Sequence, residues 1–417
     1  VAANQPDARL IFMPGPLSGF KVLDLSAVVS GPLTGGLLAD QGAEVIKVER
    51  PSGDIQRHVG SSRNGFSGFF HVLNRGKRSL ALDLGRAEAA PIVERLAGWA
   101  DVVIQNFRPG VADRIGVGYD HLAAINPQLV YLSISGFGQT GPKAGERAYD
   151  PIIQFYSGIA AVQGRIHLEH PQQPEQVNML ILDKLTAYTG CQAITAALLA
   201  RTRTGTGQHI ELSMLDTAIA FLWADAAADL ILQGDGVDQR PPIGASGNVA
   251  EYADGWGATM TLSDDEFTGM CTVYGLRHIA EDPRFARLEA RQRNRPALAE
   301  IMRTEVAAAA RKMTISEASE RMRAHDVPFA RARRLDELAG EPQVDHNGMF
   351  RSFAHPVAGP MRDARPAPRF LGTPAEPGAP APLTGQHSRA ILTEHGFGGQ
   401  VDAWLASGLV AEPKEHR

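Results

Sequence analysis

Six short runs, FKVLDLS, AEVIKVER, SLALDL, DVVIQNF, LVYLSISGFG and QHIELSM, punctuate the chain between Gly19 and Met214, with helical stretches between them. Most of them are apolar along their length rather than at every second position. Strands of that kind are buried on both faces, the condition of a parallel sheet covered by helices on either side. The order strand, helix, strand repeats throughout, so the pattern predicts βαβ units and an α/β fold. Ligands of such sheets bind at the carboxyl ends of the strands. The first strand-to-helix turn, SAVVSGPLTGG, lacks G-x-G-x-x-G, so a dinucleotide-dependent dehydrogenase fits poorly.

The first helix, LTGGLLADQG, ends at Gly42, a second is expected around Ala87–Trp99, a short one ends near Ile125, and a long one spans about Thr186–Arg203, closed by Gly205 and Gly207. LDTAIAFLWADAAADLIL reads as a mostly apolar helix. Beyond Gln233 a loop rich in glycine and proline opens a second unit, in which TISE at Thr314–Glu317 is a capping box for a helix to about His325. Eight prolines then fall between His355 and Pro382. Such a segment has few backbone donors and prefers an extended course. The helix HSRAILTEHGF behind it, closed by Gly396, must bury Ile391 and Leu392, so the proline-rich stretch is expected to be a strap laid over the first domain. The expected division is a large domain over 14–215, a linker helix over 216–235, a small domain over 236–335 and a return segment, 336–417, completing the large domain.

A chain of 417 residues exceeds one ordinary core and implies two or three domains. A net charge of −5 argues against nucleic acid as partner, yet leaves local arginines free to hold a small polyanion. No apolar run is long enough to span a membrane, and no signal peptide is evident, so a cytoplasmic protein is expected, with Met13 as its natural start. The two cysteines, Cys191 and Cys271, follow no metal or redox spacing and suit small buried hydrophobes in a reducing compartment.

The chemistry-bearing residues gather on two loops that leave neighbouring strands: QNFRPGVADRIG, with Asn106, Arg108 and Arg114, and SGFGQTGP running into AGERAYD, with Arg147. Backbone N–H groups at glycines together with guanidinium forks suit a phosphate-bearing ligand; turn chemistry with solvated charges is the simpler alternative. No metal site is expected: His167 and His170 sit in a Gln/Pro-rich loop without further ligands. Ser135 and Ser246 are not in G-x-S-x-G, so a serine hydrolase has no support. Asp183 follows four apolar residues and precedes a helix rich in small residues, a position that suits either a helix cap or a carboxylate stabilised by a helix N-terminus. Asp150 suits a salt-bridge partner.

The segments PLSGFKVLDLS, GAEVIKVERPSGD, NRGKRSLALDL, QNFRPGVADRIG and SISGFGQTGP, with Asp183 and the later EDPRF, HDVPFARARRLDELAGEPQ and HPVAGP…APLTGQHS, resemble in order and spacing the family III CoA-transferases. These are the relatives of formyl-CoA transferase and carnitine CoA-transferase, a group that includes α-methylacyl-CoA racemase. The resemblance runs from Pro14 to about Gly396. It implies a Rossmann-like large domain, a smaller α+β domain and an interlocked homodimer. It implies coenzyme A, carried in as acyl-CoA, and a carboxylic acid as substrates, with no metal, nucleic acid or membrane partner. It implies Asp183 as a nucleophile that becomes an aspartyl-CoA thioester. For CoA it implies Arg50, Arg114 with Ile115, the Asn106–Phe107 pair and Arg147, with Lys77 and Arg78 as further phosphate ligands. The loop with Gly244 and Gly247 takes the place of a mobile glycine loop over the intermediate.

Two departures bear on reaction class. Where the racemases carry His-Asp, this chain has Tyr149-Asp150, and a phenol of pKa about 10 is a poor base beside imidazole at about 6.5. An acyl-CoA racemase or epimerase, or a non-catalytic acyl-CoA-binding protein, is therefore the alternative to a transferase. In the first loop, Ala27, Val28, Val29 and Ser30 replace polar residues of formyl-CoA transferase, a lining that suits an aliphatic or aromatic acid better than oxalate.

Overall fold

The computed structural model describes residues 15–164, 173–238 and 248–413. It divides into one unit comprising residues up to Ala220 and from His346 onward, and a second, Phe221–Asp345.

The first unit is built on seven strands: β1 (Lys21–Asp24), β2 (Glu44–Glu49), β3 (Lys77–Leu82), β4 (Val102–Gln105), β5 (Val130–Ser135), β6 (Gln208–Ser213) and β7 (Val410–Ala411). Their order is β7-β3-β2-β1-β4-β5-β6. The first six are all parallel, and β7 joins β3 antiparallel. Strands β1 to β5 are almost wholly buried, as continuous apolar runs require.

Helices cover both faces. On one, α1 (Ser30–Ala39) lies beside the long α5 (Ile181–Thr204), with Leu38, Val45, Ile104, Leu132 and Ile194 in the core between. On the other, α2 (Ala90–Trp99) and α3 (Tyr119–Ile125) enclose Leu23, Ile46, Leu80, Val103 and Tyr131. Between α3 and α5 in sequence, α4 (Asp150–Ser157) follows β5. Two C-terminal helices, α6 (Ser388–Glu394) and α7 (Val401–Ser407), put the fully buried Ile391, Leu392 and Val401 into that second core, with Phe397 packed against it. Each such side chain contributes about 1.5–3 kcal/mol. Arg75 fastens the proline-rich segment: it reaches Asp40 on one side and Asp363 at 2.6 Å on the other, and His71 lies 3.3 Å from the same carboxylate. β7 has no counterpart in the sequence reading, because a two-residue strand carries too little pattern to be seen.

The second unit pairs a three-stranded antiparallel sheet, Phe329–Arg331, Gly255–Thr259 and Asn248–Tyr252, with helices around Phe267, Met270, Phe285 and Met322. Its capping box at Thr314 and Glu317 is formed on both sides. The helix expected over 216–235 differs. It runs Met214–Trp223 and stops where the N–H groups of Ala224 and Asp225 turn back to Phe221 and Leu222, three residues earlier.

Candidate active site

Strand order reverses between β1 and β4, which opens a crevice at their carboxyl ends. Asn106, just past β4, bridges it. Its Nδ2 donates to the carbonyl of Ala27 at 2.7 Å and its Oδ1 accepts the Ala27 N–H at 2.8 Å. The next residue, Val28, has φ +71°, a left-handed conformation that β-branched residues rarely adopt. The chain then enters α1 at Ser30, which is buried. The Ala27–Ser30 loop is thus held in one shape from the far side of the crevice.

Asp183 approaches the same loop from α5. The helix starts at Ile181, five residues earlier than its sequence suggested, and its N-cap, Leu180, offers no side-chain acceptor. Asp150 serves instead: its Oδ2 accepts the N–H of Asp183 at 2.8 Å. Gln154, one turn along α4, donates to Asp150 Oδ1 at 2.5 Å and to the carbonyl of Met179 at 3.1 Å, and its Oε1 accepts the N–H of Val177 at 2.9 Å. The cap reading of Asp183 is thereby corrected. Asp183 receives a cap rather than acting as one, and its carboxyl is left for other work.

That carboxyl is buried, with Asp183 only 8% exposed. Burial, and then the neighbouring charge of Asp150, push its pKa up from 3.8 to about 7, while the hydroxyl and N–H of Ser30 oppose the shift by donating to it. A desolvated carboxylate with few donors is a stronger nucleophile than one in water.

Asp183 borders a cavity of about 340 Å³. Val28, Val29, Ile134 and Met214 give it an apolar part, Ser30 and Ser135 a polar one, and Arg50, Arg108 and Arg147 line it with Tyr149. All three arginines are exposed, and among the described residues none forms an ion pair. Three guanidiniums without an ion pair among the described residues, beside a buried carboxylate, have the chemistry to hold a polyanion next to a nucleophile. No histidine lines the cavity among the described residues, and no group of three metal-ligating side chains occurs among them.

The structure sorts the residues expected from the sequence. Arg50, Asn106, Phe107, Arg147, Val28, Val29, Ser30, Tyr149 and Asp183 meet at the cavity. Ala27 and Asp150 stand behind it as supports. Arg114 is exposed outside its lining, and Ile115 packs into the second core. Two residues depart from their expected role as phosphate ligands. Lys77 is fully shielded, its three protons directed to Asp24 Oδ2, the carbonyl of Pro32 and Asn74 Oδ1 at 2.6–2.9 Å. Arg78 lies away from the cavity, paired with Glu44 and Glu394 at 3.2 and 2.7 Å. Gly244 and Gly247, like His167 and His170, lie outside the described residues. Ser135 and Met214 were missed, although each ends or follows a strand at its carboxyl end, where the ligand rule points. Nothing in the sequence marks Gln154.

Comparisons with known proteins give one answer. The family model described as CoA-transferase family III matches residues 17–388. A succinate–glutarate CoA-transferase of Agrobacterium fabrum is 34% identical over 395 residues, covering 91% of this chain and 95% of that protein. A succinyl-CoA:glutarate CoA-transferase of Mus musculus is 32% identical over 410 residues, covering 95% and 91%. The crystal structure of a CaiB/BaiF family protein from Brucella suis superposes with a TM-score of 0.75 at 31% identity, covering 92% of this chain and all of that one.

Proposed function

This chain belongs to CoA-transferase family III, and from that premise we propose that it moves CoA from an acyl-CoA donor to a carboxylic acid through an aspartyl-CoA thioester on Asp183. The observation that carries the proposal is the buried Asp183 carboxyl on a cavity lined by three arginines that form no ion pair among the described residues. The Asp183 carboxylate attacks the donor thioester carbonyl, forming a mixed anhydride and releasing CoA thiolate. The thiolate attacks the aspartyl carbonyl of the anhydride, which frees the donor acid and leaves aspartyl-CoA. The acceptor carboxylate attacks that thioester, forming a second anhydride and thiolate. The thiolate then takes the acceptor's acyl carbon and returns Asp183 as carboxylate. Thioester is exchanged for thioester, so no external energy is needed, and the carboxylate nucleophile divides one hard exchange into easier steps.

Arg50, Arg108 and Arg147 bind the CoA phosphates and any second carboxylate of the substrate. Relatives named for succinate and glutarate support a short dicarboxylic acid as substrate. Val28, Val29, Ile134 and Met214 would face its methylenes, which oxalate lacks. Transfer of an α-proton has weaker support, since Tyr149 is 62% exposed and no histidine joins it among the described lining residues. An interlocked homodimer in the cytoplasm completes the proposal. It is supported by the exposed Ile152, Phe155 and Tyr156 on one side of α4, and by the buried free thiols of Cys191 and Cys271.

The test is incubation with succinyl-CoA and a series of mono- and dicarboxylic acids, followed by mass spectrometry of new thioesters and hydroxylamine trapping at Asp183. Exchange onto glutarate with a hydroxamate at Asp183 is expected. Deuterium wash-in at the α-carbon of a 2-methylacyl-CoA in D2O, without thioester exchange, would move the assignment to a racemase.

A further inference from the structure

Beneath the cavity lies a cluster of buried charge that binds nothing from outside. Asp24 ends β1, Lys47 lies on β2 and Lys77 starts β3, and all three side chains are fully shielded. Lys77 Nζ is 2.8 Å from Asp24 Oδ2, and Lys47 Nζ is 3.1 Å from Asp54 Oδ2. α1 crosses directly over the first pair: a Cβ on Gly35 would stand 3.1 Å from Asp24 Oδ2 and 3.3 Å from Lys77 Nζ, a tight approach that would press on the pair.

Buried ion pairs are a poor device for stability alone, since apolar replacements of similar volume are often neutral or stabilising. What these two ammonium groups hold is specific. Lys47 Nζ donates to the carbonyl of Ser26 at 2.9 Å and Lys77 Nζ to the carbonyl of Pro32 at 2.6 Å. Asp24 Oδ1 accepts from both the N–H and the hydroxyl of Ser26. Those two carbonyls flank the stretch containing the left-handed Val28 and the Ser30 that reaches Asp183. A strained backbone of that kind costs about 1–3 kcal/mol and persists only when its surroundings over-determine it.

We infer that Lys47 and Lys77 are positioning residues for the transfer reaction, gripping the two ends of the Ser26–Pro32 segment, loop and first turn of α1, from below so that Ser30 stays aimed at Asp183. The inference rests on Asp183 being the nucleophile. It differs from the clamp by Asn106, which acts on Ala27 across the crevice.

The test removes both charges of the pair together, so that neither is left buried without its counter-charge: Asp24→Leu with Lys77→Met in the full-length chain. Thermal stability close to wild type is expected, with at least a tenfold fall in the single-turnover rate of hydroxamate formation and less than a twofold change in acyl-CoA affinity. A second readout needs no turnover. Infrared titration of the Asp183 carboxyl, assigned by difference with Asp183→Asn, should move to higher pH as the Ser30 donors are lost. The other charged and titratable groups near it, Asp150 on α4 and the cavity's Arg50, Arg108, Glu146, Arg147 and Tyr149, are unaltered. Ser30→Ala, which removes the hydroxyl and keeps the N–H, should shift it in the same direction by a smaller amount, and the combined variant should shift it no more than the Asp24–Lys77 variant does. An unshifted titration with an unchanged rate would overturn the inference. If wild-type protein forms no hydroxamate, the nucleophile reading fails, while the titration still decides whether the lysines hold Ser30 in place. Should the first pair not fold, Lys47→Met with Asp54→Asn repeats the test at the other end of the loop, and failure of both to fold would mark the cluster as a folding requirement and overturn the inference too.

Discussion

The carboxylate of Asp150 accepts the backbone N–H of Asp183 at 2.8 Å, across 33 residues of sequence. One contact therefore does two things. It caps the first turn of α5, and it sets a negative charge beside the Asp183 carboxyl that helps push its pKa, already raised by burial, to about 7. Asp150→Asn keeps an oxygen for the N–H and removes the charge. The acid limb of kcat/KM is expected to move below pH 7 in that variant, as read from a pH–rate profile with succinyl-CoA. An unmoved limb would assign the shift to burial alone.

Asp183→Asn should abolish transfer and, under the right conditions, stabilise the protein. Folded Asp183 ionises near 7 against an ordinary 3.8. Between those values the folded chain holds a proton that the unfolded chain has lost, so stability falls as pH rises through the window. Each pKa unit corresponds to about 1.4 kcal/mol, which makes the effect a few kcal/mol. Calorimetry should give a higher Tm for the variant at pH 8 and no difference at pH 4. Equal gains at both pH values would contradict the proposed environment.

Arg50→Ala, Arg108→Ala and Arg147→Ala should each weaken CoA binding, because each guanidinium lines the cavity without a carboxylate partner among the described residues. A charge-assisted hydrogen bond contributes about 1.5–3 kcal/mol, roughly ten- to a hundredfold in affinity. Arg114→Ala, outside the cavity lining, should have a smaller effect. Titration calorimetry with CoA ranks the four, and a loss at Arg114 alone would relocate the phosphate site.

Asp363 should set an acid limit on the proline-rich segment. Against burial, which raises it, hydrogen bonds from His71 and Arg75 bring its pKa down from 3.8 to about 2. A depressed carboxyl lends stability above its ordinary pKa and loses it as pH falls through the folded one, so that contribution should disappear between about pH 4 and 2. Asp363→Ala leaves Arg75 without one of its two buried partners and should destabilise by about 3–5 kcal/mol at neutral pH. A urea midpoint within error of wild type would show that the contact is idle.

The proposed interlocked dimer should not dissociate on dilution without unfolding. Sedimentation at nanomolar concentration is expected to give the dimer, and truncation after Gly385 to give inactive protein, since Ile391 and Leu392 leave the core with it. A soluble, active monomer would exclude interlocking.

What the sequence determined by itself was the sheet and the neighbourhood of the cavity. In runs such as KVLD and VYLSIS apolar residues stand side by side rather than at every second position, and burial on both faces follows from that one-dimensional pattern. The rule that ligands meet the carboxyl ends of strands was enough to bring Asn106, Arg108 and Arg147 together. Only the tertiary structure decided what each group does there. The family resemblance offers Arg147 and, as a further ligand, Lys77 to phosphates, yet Lys77 ends fully shielded against Asp24 and Arg147 lies on the cavity with no ion pair among the described residues. Along the chain Asp183 suits a cap and Asp150 a salt-bridge partner, yet Asp150 caps and Asp183 is capped. Burial and electrostatic pairing depend on which atoms lie within a few ångströms of each other, and here those atoms come from residues 33 or 53 positions apart. Local sequence carries no record of such meetings, so a charge's role is settled only when the chain has closed around it.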